Sequence, residues 1–254
     1  MSPIHPAAAA GFQAAGADYE RGRPGYPDAA IALLARELRI GPGRRIADLA
    51  AGTGKLTRAV LGLGAEVVAI EPVAGMRDQL RRAVPAVEVL EGTAERIPLA
   101  GATVDAVLVA QAFHWFDAVA AAAEIERVLA PGGGLGVIWN EWDRSVAWVD
   151  AMQQLVDAHA GDAPRQATSR WRERLEQTGR FLLRYERVVP NVVHGDLDTL
   201  LARVASTSFV AAMPDADRRR LLHQVRGVAA GAQQDGEGLA MPYRAHLVCY
   251  VPAR

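Results

Sequence analysis

The stretch Ile46-Ala47-Asp48-Leu49-Ala50-Ala51-Gly52-Thr53-Gly54-Lys55-Leu56-Thr57 constrains this chain most. An apolar run meets a turn of small residues and continues into a helix-forming sequence. That order is the one for a buried parallel strand, a tight turn and a crossover helix, which together hold a nucleotide-like ligand at the carboxyl end of the strand. The backbone must bend sharply there and approach the ligand closely, so residues without bulky side chains are needed, and Ala50, Gly52 and Gly54 supply them. A dinucleotide fingerprint would put Gly or Ala three residues after the second glycine, where this chain has Thr57.

Three further segments extend the pattern. Ala65–Ile70 reads as a short apolar strand closed by Glu71-Pro72, and Glu71 lies about twenty residues past the turn, where an acidic side chain accepts hydrogen bonds from both ribose hydroxyls. A plain solvated glutamate is the competing reading. Val87–Leu90 reads as a third strand, followed by Glu91-Gly92-Thr93-Ala94-Glu95-Arg96-Ile97-Pro98-Leu99. Val104–Val109 is a continuous apolar run, as expected of a strand buried on both faces. Substrate should sit just beyond its carboxyl end, which brings Gln111, Phe113, His114 and Trp115 into position. Glu124–Leu129 then reads as a helix, Ala130-Pro131-Gly132-Gly133-Gly134 as its stop, and Leu135–Trp139 as a fifth strand.

These motifs resemble the class I S-adenosylmethionine-dependent methyltransferases, whose first motif is an acidic residue followed by G-x-G-x-G. Ala50 replaces the first glycine here. The Q-A-F-H-W-F-D string over 111–117 resembles the small-molecule, trans-aconitate methyltransferase-like (methyltransferase type 11) subgroup, and R-V-L-x-P-G-G is also a mark of the family. The resemblance covers most of Arg44–Trp139 and implies an α/β fold. That fold is a Rossmann-like, doubly wound, mostly parallel seven-stranded sheet with an antiparallel last strand and extra helices near the C-terminal strands. It implies S-adenosyl-L-methionine as cofactor and S-adenosyl-L-homocysteine as product. The implied cofactor contacts are Asp48, Ala50, Gly52, Thr53, Gly54 and Leu56 at the first turn, with Glu71 and Pro72 at the ribose. Thr93, Ala94 and Glu95 fall at the adenine, with Thr93 standing where Asp is usual, and Gln111, Ala112 and Phe113 follow the fourth strand. Met76 is placed to cover an adenine face with its polarizable thioether, or is an ordinary packing methionine.

Residues 1–27 read as an N-terminal arm or lid. Its segment Tyr19-Glu20-Arg21-Gly22-Arg23-Pro24-Gly25-Tyr26-Pro27 resembles the Y-x-x-x-R-P-x-Y-P strap of the same subgroup, which implies Tyr19 and Arg23 at the methionine end of the cofactor. A surface connector is the competing reading. Residues 28–254 read as one domain, opening on a helix Ala29–Leu38 with Asp28 as N-cap and Gly41 as stop. Beyond Trp139 the reading is a helix over Val146–Ala160, a polar irregular stretch over Gly161–Arg174, a strand over Phe181–Val193, helices over Asp198–Ala205 and Asp215–Val228, a loop over Gln233–Gly238 and a final strand over Tyr243–Val251. The insertion at about 196–230 exceeds the minimal fold, and in the family such extra elements build the substrate pocket. Arg203, Ser206, Ser208, Phe209 and Arg244 are therefore candidate substrate contacts, with His114, Trp115, Trp139, Trp142 and Trp148 as candidate walls of an apolar site. Packing or surface roles compete for each.

The formal net charge of −1 gives no global field to recruit polyanions, so a nucleic-acid partner is disfavoured. Cys249 is the single cysteine, which leaves no internal disulfide and no cysteine-rich metal site. The six histidines lack metal-ligand spacing, so no metal is expected. No stretch is suited to spanning a membrane or to a signal peptide, and the expected setting is cytoplasmic, with a small-molecule acceptor and a monomer or homodimer. Lys55 is the only lysine.

Methyl transfer from a sulfonium is an in-line displacement, accelerated by positioning the acceptor in a dry pocket. A carboxylate acceptor needs no base. A hydroxyl, phenol or activated carbon is helped by one, and His114 is the candidate, either as base or as a group that orients the ligand. The D/N-P-P-Y turn used on exocyclic amines is replaced by Ala110-Gln111-Ala112-Phe113. Two other classes remain as alternatives: an NAD(P)-dependent oxidoreductase, disfavoured by Thr57, and a non-catalytic protein that binds S-adenosylmethionine.

Overall fold

The computed structural model describes residues 23–161, 170–232 and 238–253. Tyr19, the arm before Arg23 and most of the expected 233–238 loop lie outside them. In chain order the elements are α1 (Asp28–Leu38), β1 (Arg45–Leu49), α2 (Lys55–Leu61), β2 (Glu66–Ile70), α3 (Ala74–Ala83), β3 (Glu88–Leu90) and β4 (Val104–Ala110). A 3₁₀ turn over Phe113–Trp115 leads to α4 (Ala118–Val128), β5 (Leu129–Trp142), α5 (Ala147–Asp157), α6 (Trp171–Gln177) and β6 (Phe181–Gly195). The chain continues through α7 (Leu197–Ala205), α8 (Ser208–Ala211), α9 (Asp215–Ala230) and β7 (Leu239–Pro252).

One sheet orders the strands β3-β2-β1-β4-β5-β7-β6. Pairings among β3, β2, β1, β4 and β5 are parallel, and β7 runs antiparallel to both its neighbours. This is the doubly wound sheet with an antiparallel last strand that the sequence motifs implied. Because side chains alternate, Ile46, Ala106 and Leu108 face α1 and α2, whereas Ala47, Leu49, Val107 and Val109 face α4 and α6. Burying one such Ile, Leu or Val stabilises the fold by roughly 1.5–3 kcal/mol. A third cluster joins α5, α7 and α9 to the beginning of β7 through Met152, Leu200, Val225 and Tyr243. That cluster puts the extra helices beside the carboxyl edge of the sheet.

Local departures from the sequence reading have physical causes. Asp28 is already helical and makes no cap hydrogen bond; Pro27 precedes it as N-cap, and the Asp28 charge sits in the first turn, where the helix dipole favours it. Helix α1 ends at Leu38 as expected, but its stop is Arg39, not Gly41: Arg39 turns left-handed (φ 55°) and the Ile40 N–H bonds back to the Ala35 carbonyl at 2.9 Å. The stretch expected to be irregular up to Arg174 instead contains α6, which buries Trp171 and Leu175 one helical turn apart. Strand pairing of β5 starts at Leu129, not Leu135. Val104 pairs with Leu129 and Ala106 with Gly134, so a two-residue step on β4 (106 − 104) matches a five-residue step on β5 (134 − 129). The Pro-Gly-Gly-Gly run is thus a bulge within the strand, with Gly132 at φ 79°.

Gly134 is required where that bulge rejoins the sheet. A Cβ there would lie 2.8 Å from both the Tyr250 carbonyl oxygen and Leu38 Cδ2. Gly134→Ala is expected to lower stability by about 1–3 kcal/mol through overpacking. Thermal or denaturant unfolding checks this, and an unchanged midpoint would refute the close approach.

Candidate active site

Buried polar side chains cost stability unless they are bonded, so their location is informative. Among the described residues they are Asp48, Thr53, Thr57, Glu71, Arg77, Asn140, Asn191 and Ser206. All but Ser206, which follows α7, lie at the carboxyl ends of strands or in the turns and helices that follow them.

The central strands β1 and β4 each end in a non-glycine residue with positive φ, Ala50 at 58° and Gln111 at 60°. Such conformations cost of order 1 kcal/mol or more and persist only where the surroundings impose them. Ala51 N–H bonds to the Ile70 carbonyl (3.1 Å) and Gln111 N–H to the Ile138 carbonyl (3.0 Å), so the neighbouring strand ends fix both turns. Gly52 and Gly54 follow with φ 59° and 85°, and a Cβ on Gly54 would press on Leu80 Cγ at 3.1 Å.

Glu71 is 3% exposed and lies under this turn. Its carboxylate accepts from Gly52 N–H and Val73 N–H, both at 2.9 Å. Burial raises its pKa above the ordinary carboxylate range against the lowering effect of these bonds. Arg77, which sequence reasoning missed, donates to the carbonyls of Glu71 (2.9 Å) and Pro72 (2.7 Å) and to Glu91 Oε2 (2.7 Å), tying the ends of β2 and β3 together. Asp48 is 1% exposed; Oδ2 accepts from the Thr57 hydroxyl at 2.6 Å, and Oδ1 has no hydrogen-bond partner. Burial pushes its carboxyl up to about 6, with Glu71 adding in the same direction.

Above the turn is an open cleft of about 510 Å³. Of the residues singled out in the sequence, Arg23, Ala50, Gly52, Thr53, Leu56, Gln111 and Arg203 line it, together with Pro24, Tyr26, Ala51, Lys55, Ala110 and Asn140, which were not singled out. Asn140 lies near the carboxyl end of β5, just past the expected strand Leu135–Trp139, and was the most findable of these. Met76 lies beneath the turn, its Sδ 3.9 Å from where a Gly52 Cβ would be. Gly54, Pro72, Thr93 and Ala94 do not line the cleft, and Glu95 accepts from the Asp117 N–H at 3.0 Å. Ala112 and Phe113 are buried, Phe113 packing on Phe116 and Trp171 with centroids 5.2 and 5.3 Å away.

The candidate acceptor residues divide into two groups. His114 packs against Trp115 at 4.6 Å and Trp139 at 5.3 Å, and its Nδ1 is buried without a hydrogen-bond partner. Burial, then the Arg23 charge, holds the imidazole down to about 3, so it is neutral at pH 7 and only weakly basic. Trp142 stacks on Tyr243 at 4.0 Å, and the Arg203 guanidinium lies over the Trp142 ring at 5.8 Å. Burial raises the Tyr243 pKa above its ordinary value, so its hydroxyl stays protonated. Arg244 is exposed between Tyr243 and Ala245 and points to the opposite face, away from the cleft. Trp148 is half-buried among the pocket helices, and Ser208 begins α8. Burial pushes the Cys249 thiol up to about 12, so it remains a thiol.

A methyltransferase-domain family profile matches residues 47–137. An uncharacterized methyltransferase of Mycobacterium tuberculosis is 40% identical over 234 residues, 91% of each chain. A methyltransferase-like protein of Schizosaccharomyces pombe is 34% identical over 214 residues, 84% of this chain and 83% of its own. The chain belongs to the class I S-adenosylmethionine-dependent methyltransferases. A solved structure from Anaeromyxobacter dehalogenans, assigned as a type II methyltransferase, shares the fold with a TM-score of 0.69 and 24% identity over 90% of this chain and 96% of that one. The fold also recurs, with a TM-score of 0.51 and 17% identity over 88% of this chain and 84% of the other, in geranyl diphosphate methyltransferase solved with S-adenosylmethionine.

The methyltransferase motifs fit the cofactor in kind. The glycine cradle admits close approach, Asp48 keeps an unpartnered oxygen beneath it, and Glu71 retains a second lone pair on each oxygen. No group of three or more His, Cys, Asp or Glu among the described residues is arranged to hold a metal, and no described helix is long and apolar enough to cross a membrane.

Two predictions follow from the titrations. Asp48 binds its proton more tightly folded than unfolded, so its contribution to stability is present near pH 4 and lost as the pH rises through 6, a change of about 3 kcal/mol over that window. The difference in unfolding free energy between wild type and Asp48→Asn should follow that window; a pH-independent difference would contradict the buried acid. His114 should show no imidazole titration by NMR between pH 5 and 8, whereas a midpoint near 6.5 would mean it is solvated.

Proposed function

We propose that the protein transfers a methyl group from S-adenosylmethionine to a small organic acceptor carrying a carboxylate or hydroxyl. One observation supports this most: the cleft at the ends of β1 and β4 is walled by the Ala50–Leu56 turn on one side and by Arg23, Gln111, Asn140 and Arg203 on the other. When bound, the cofactor supplies an electrophilic methyl group on a sulfonium. Glu71 would hold the ribose, Met76 and the 93–95 segment the adenine, and Arg23 with Gln111 the methionine end.

The acceptor would enter beside Arg203 and Trp142. The described lining carries three cationic side chains, Arg23, Lys55 and Arg203, and no carboxylate. With Arg23 on the methionine carboxylate, Arg203 would orient a second anion beside the protonated Tyr243 hydroxyl. A carboxylate acceptor is already nucleophilic, so no proton need be removed. His114 does not line the cleft, and its low basicity agrees with that choice and argues against a general base.

Calorimetric titration with S-adenosylhomocysteine against NADH tests the reading. Micromolar binding of the former is expected, weakened at least about tenfold by Glu71→Ala, since bonds to a charged group contribute about 1.5–3 kcal/mol. Binding of NADH alone would overturn it. Given S-adenosylhomocysteine binding, methyl ester formation from a panel of carboxylic acids, reduced in Arg203→Ala, tests the acceptor class.

A further inference from the structure

A polar chain crosses the carboxyl edge of the sheet at the far side of the cleft. Gln111 Nε2 donates to the Asn140 carbonyl at 3.2 Å. Asn140 Nδ2 donates to the Gly25 carbonyl at 2.9 Å. Asn191 Nδ2 donates to that same Gly25 carbonyl and to Asn140 Oδ1, both at 2.9 Å. The two asparagines come from strands that do not touch: Asn140 pairs with Ala245 and Asn191 with Tyr243 on the intervening β7, so all four side chains share one face. Asn140 is 6% and Asn191 8% exposed.

Two buried primary amides side by side are costly unless each is satisfied, and apolar residues would fill the same sheet face without that cost. What the pair gains is one backbone carbonyl of a segment outside the sheet. Gly25 lies between Pro24 and Tyr26, which line the cleft, and two residues from Arg23, which lines it as well. Pro24 and Pro27 have no N–H to donate, so this strap has fewer backbone donors with which to join a ladder. At its far end the Pro27 carbonyl is fixed by the Ala30 and Ile31 N–H groups of α1, at 2.9 and 3.2 Å. The amide pair fixes it again at Gly25.

We infer that Asn191, acting with Asn140, is a positioning residue for the ligand cleft: the amide pair clamps the Gly25 carbonyl and thereby sets the place of Arg23, Pro24 and Tyr26 over the glycine turn. Asn191 lines no part of the cleft and works through the strap and through Asn140, which it also holds. The effect on ligand affinity rests on the S-adenosyl reading above; the clamp does not.

Hydrogen exchange and calorimetry on the full chain separate the two. In Asn191→Ala, exchange of the peptide spanning Arg23–Leu34 should accelerate while that of the β2–α3 peptide stays as in wild type. Affinity for S-adenosylhomocysteine should fall about tenfold, the scale of one or two lost amide hydrogen bonds. The Arg23→Ala/Asn191→Ala double variant should lose less affinity than the sum of the two single losses. Asn191→Asp, of equal size but without the amide donors, should reproduce all three results if Asn191→Ala folds poorly. Unchanged strap exchange would overturn the clamp, and additive losses in the double variant would overturn its action through Arg23. A wild-type protein that fails to bind S-adenosylhomocysteine, with strap exchange still responding to Asn191, would remove the proposed cofactor and leave the clamp standing.

Discussion

A single buried carboxylate joins the parts of this molecule that must act together. Glu71 accepts from the Gly52 N–H on one side and the Val73 N–H on the other, so the turn after β1 and the start of the crossover after β2 share one anchor. The anchor sits at the carboxyl end of β2, one strand over from the point where strand order reverses between β1 and β4, where adjacent crossovers depart to opposite faces and leave a crevice. Strained backbone at Ala50 and Gln111 flanks that crevice and is tolerated because the ends of β2 and β5 bond it in place. Loosening Glu71 would therefore disturb the shape of the turn as well as any ligand it meets.

The legible part of the fold was the part governed by local rules. Val104–Val109 reads as a doubly buried strand from its composition alone, and the small residues at 50, 52 and 54 mark a turn with no other economical explanation. Features set by residues distant in sequence were not legible. The Pro-Gly-Gly-Gly run reads as a terminator because nothing local reveals that β4 pairs on both sides of it. Helix α6 exists because Trp171 finds Phe113 and Trp139, more than thirty residues upstream, at 5.3 and 5.8 Å. Of the site, the turn, Arg23, Gln111 and Arg203 were anticipated from motif and position. Asn191 carries no sequence signal, since an asparagine after a proline in a strand-like run has the look of a turn, and its partner is a backbone carbonyl 166 residues away.

The two ends of the cleft differ in chemistry. The turn side is backbone and small side chains, shaped to admit a ligand closely. The opposite side is built from long side chains carried by the strap and by α7, and it is there that Arg203, Trp142 and Tyr243 interlock. Backbone-lined surfaces tolerate few substitutions, whereas a wall of side chains on an appended helix changes without disturbing the sheet. Within one fold this separates what must stay constant from what can vary with the acceptor.

Lys55 stands at the mouth of that cleft and is the sole lysine in the chain. Every other cationic side chain of permanent charge is a guanidinium, which amine-directed reagents leave alone. The protein thus carries a single side-chain amine, and it is located where a ligand would cover it. Acylation at that one side-chain nitrogen, told apart from the α-amine by peptide mass, becomes a built-in reporter of whether the cleft is filled, without any engineered label.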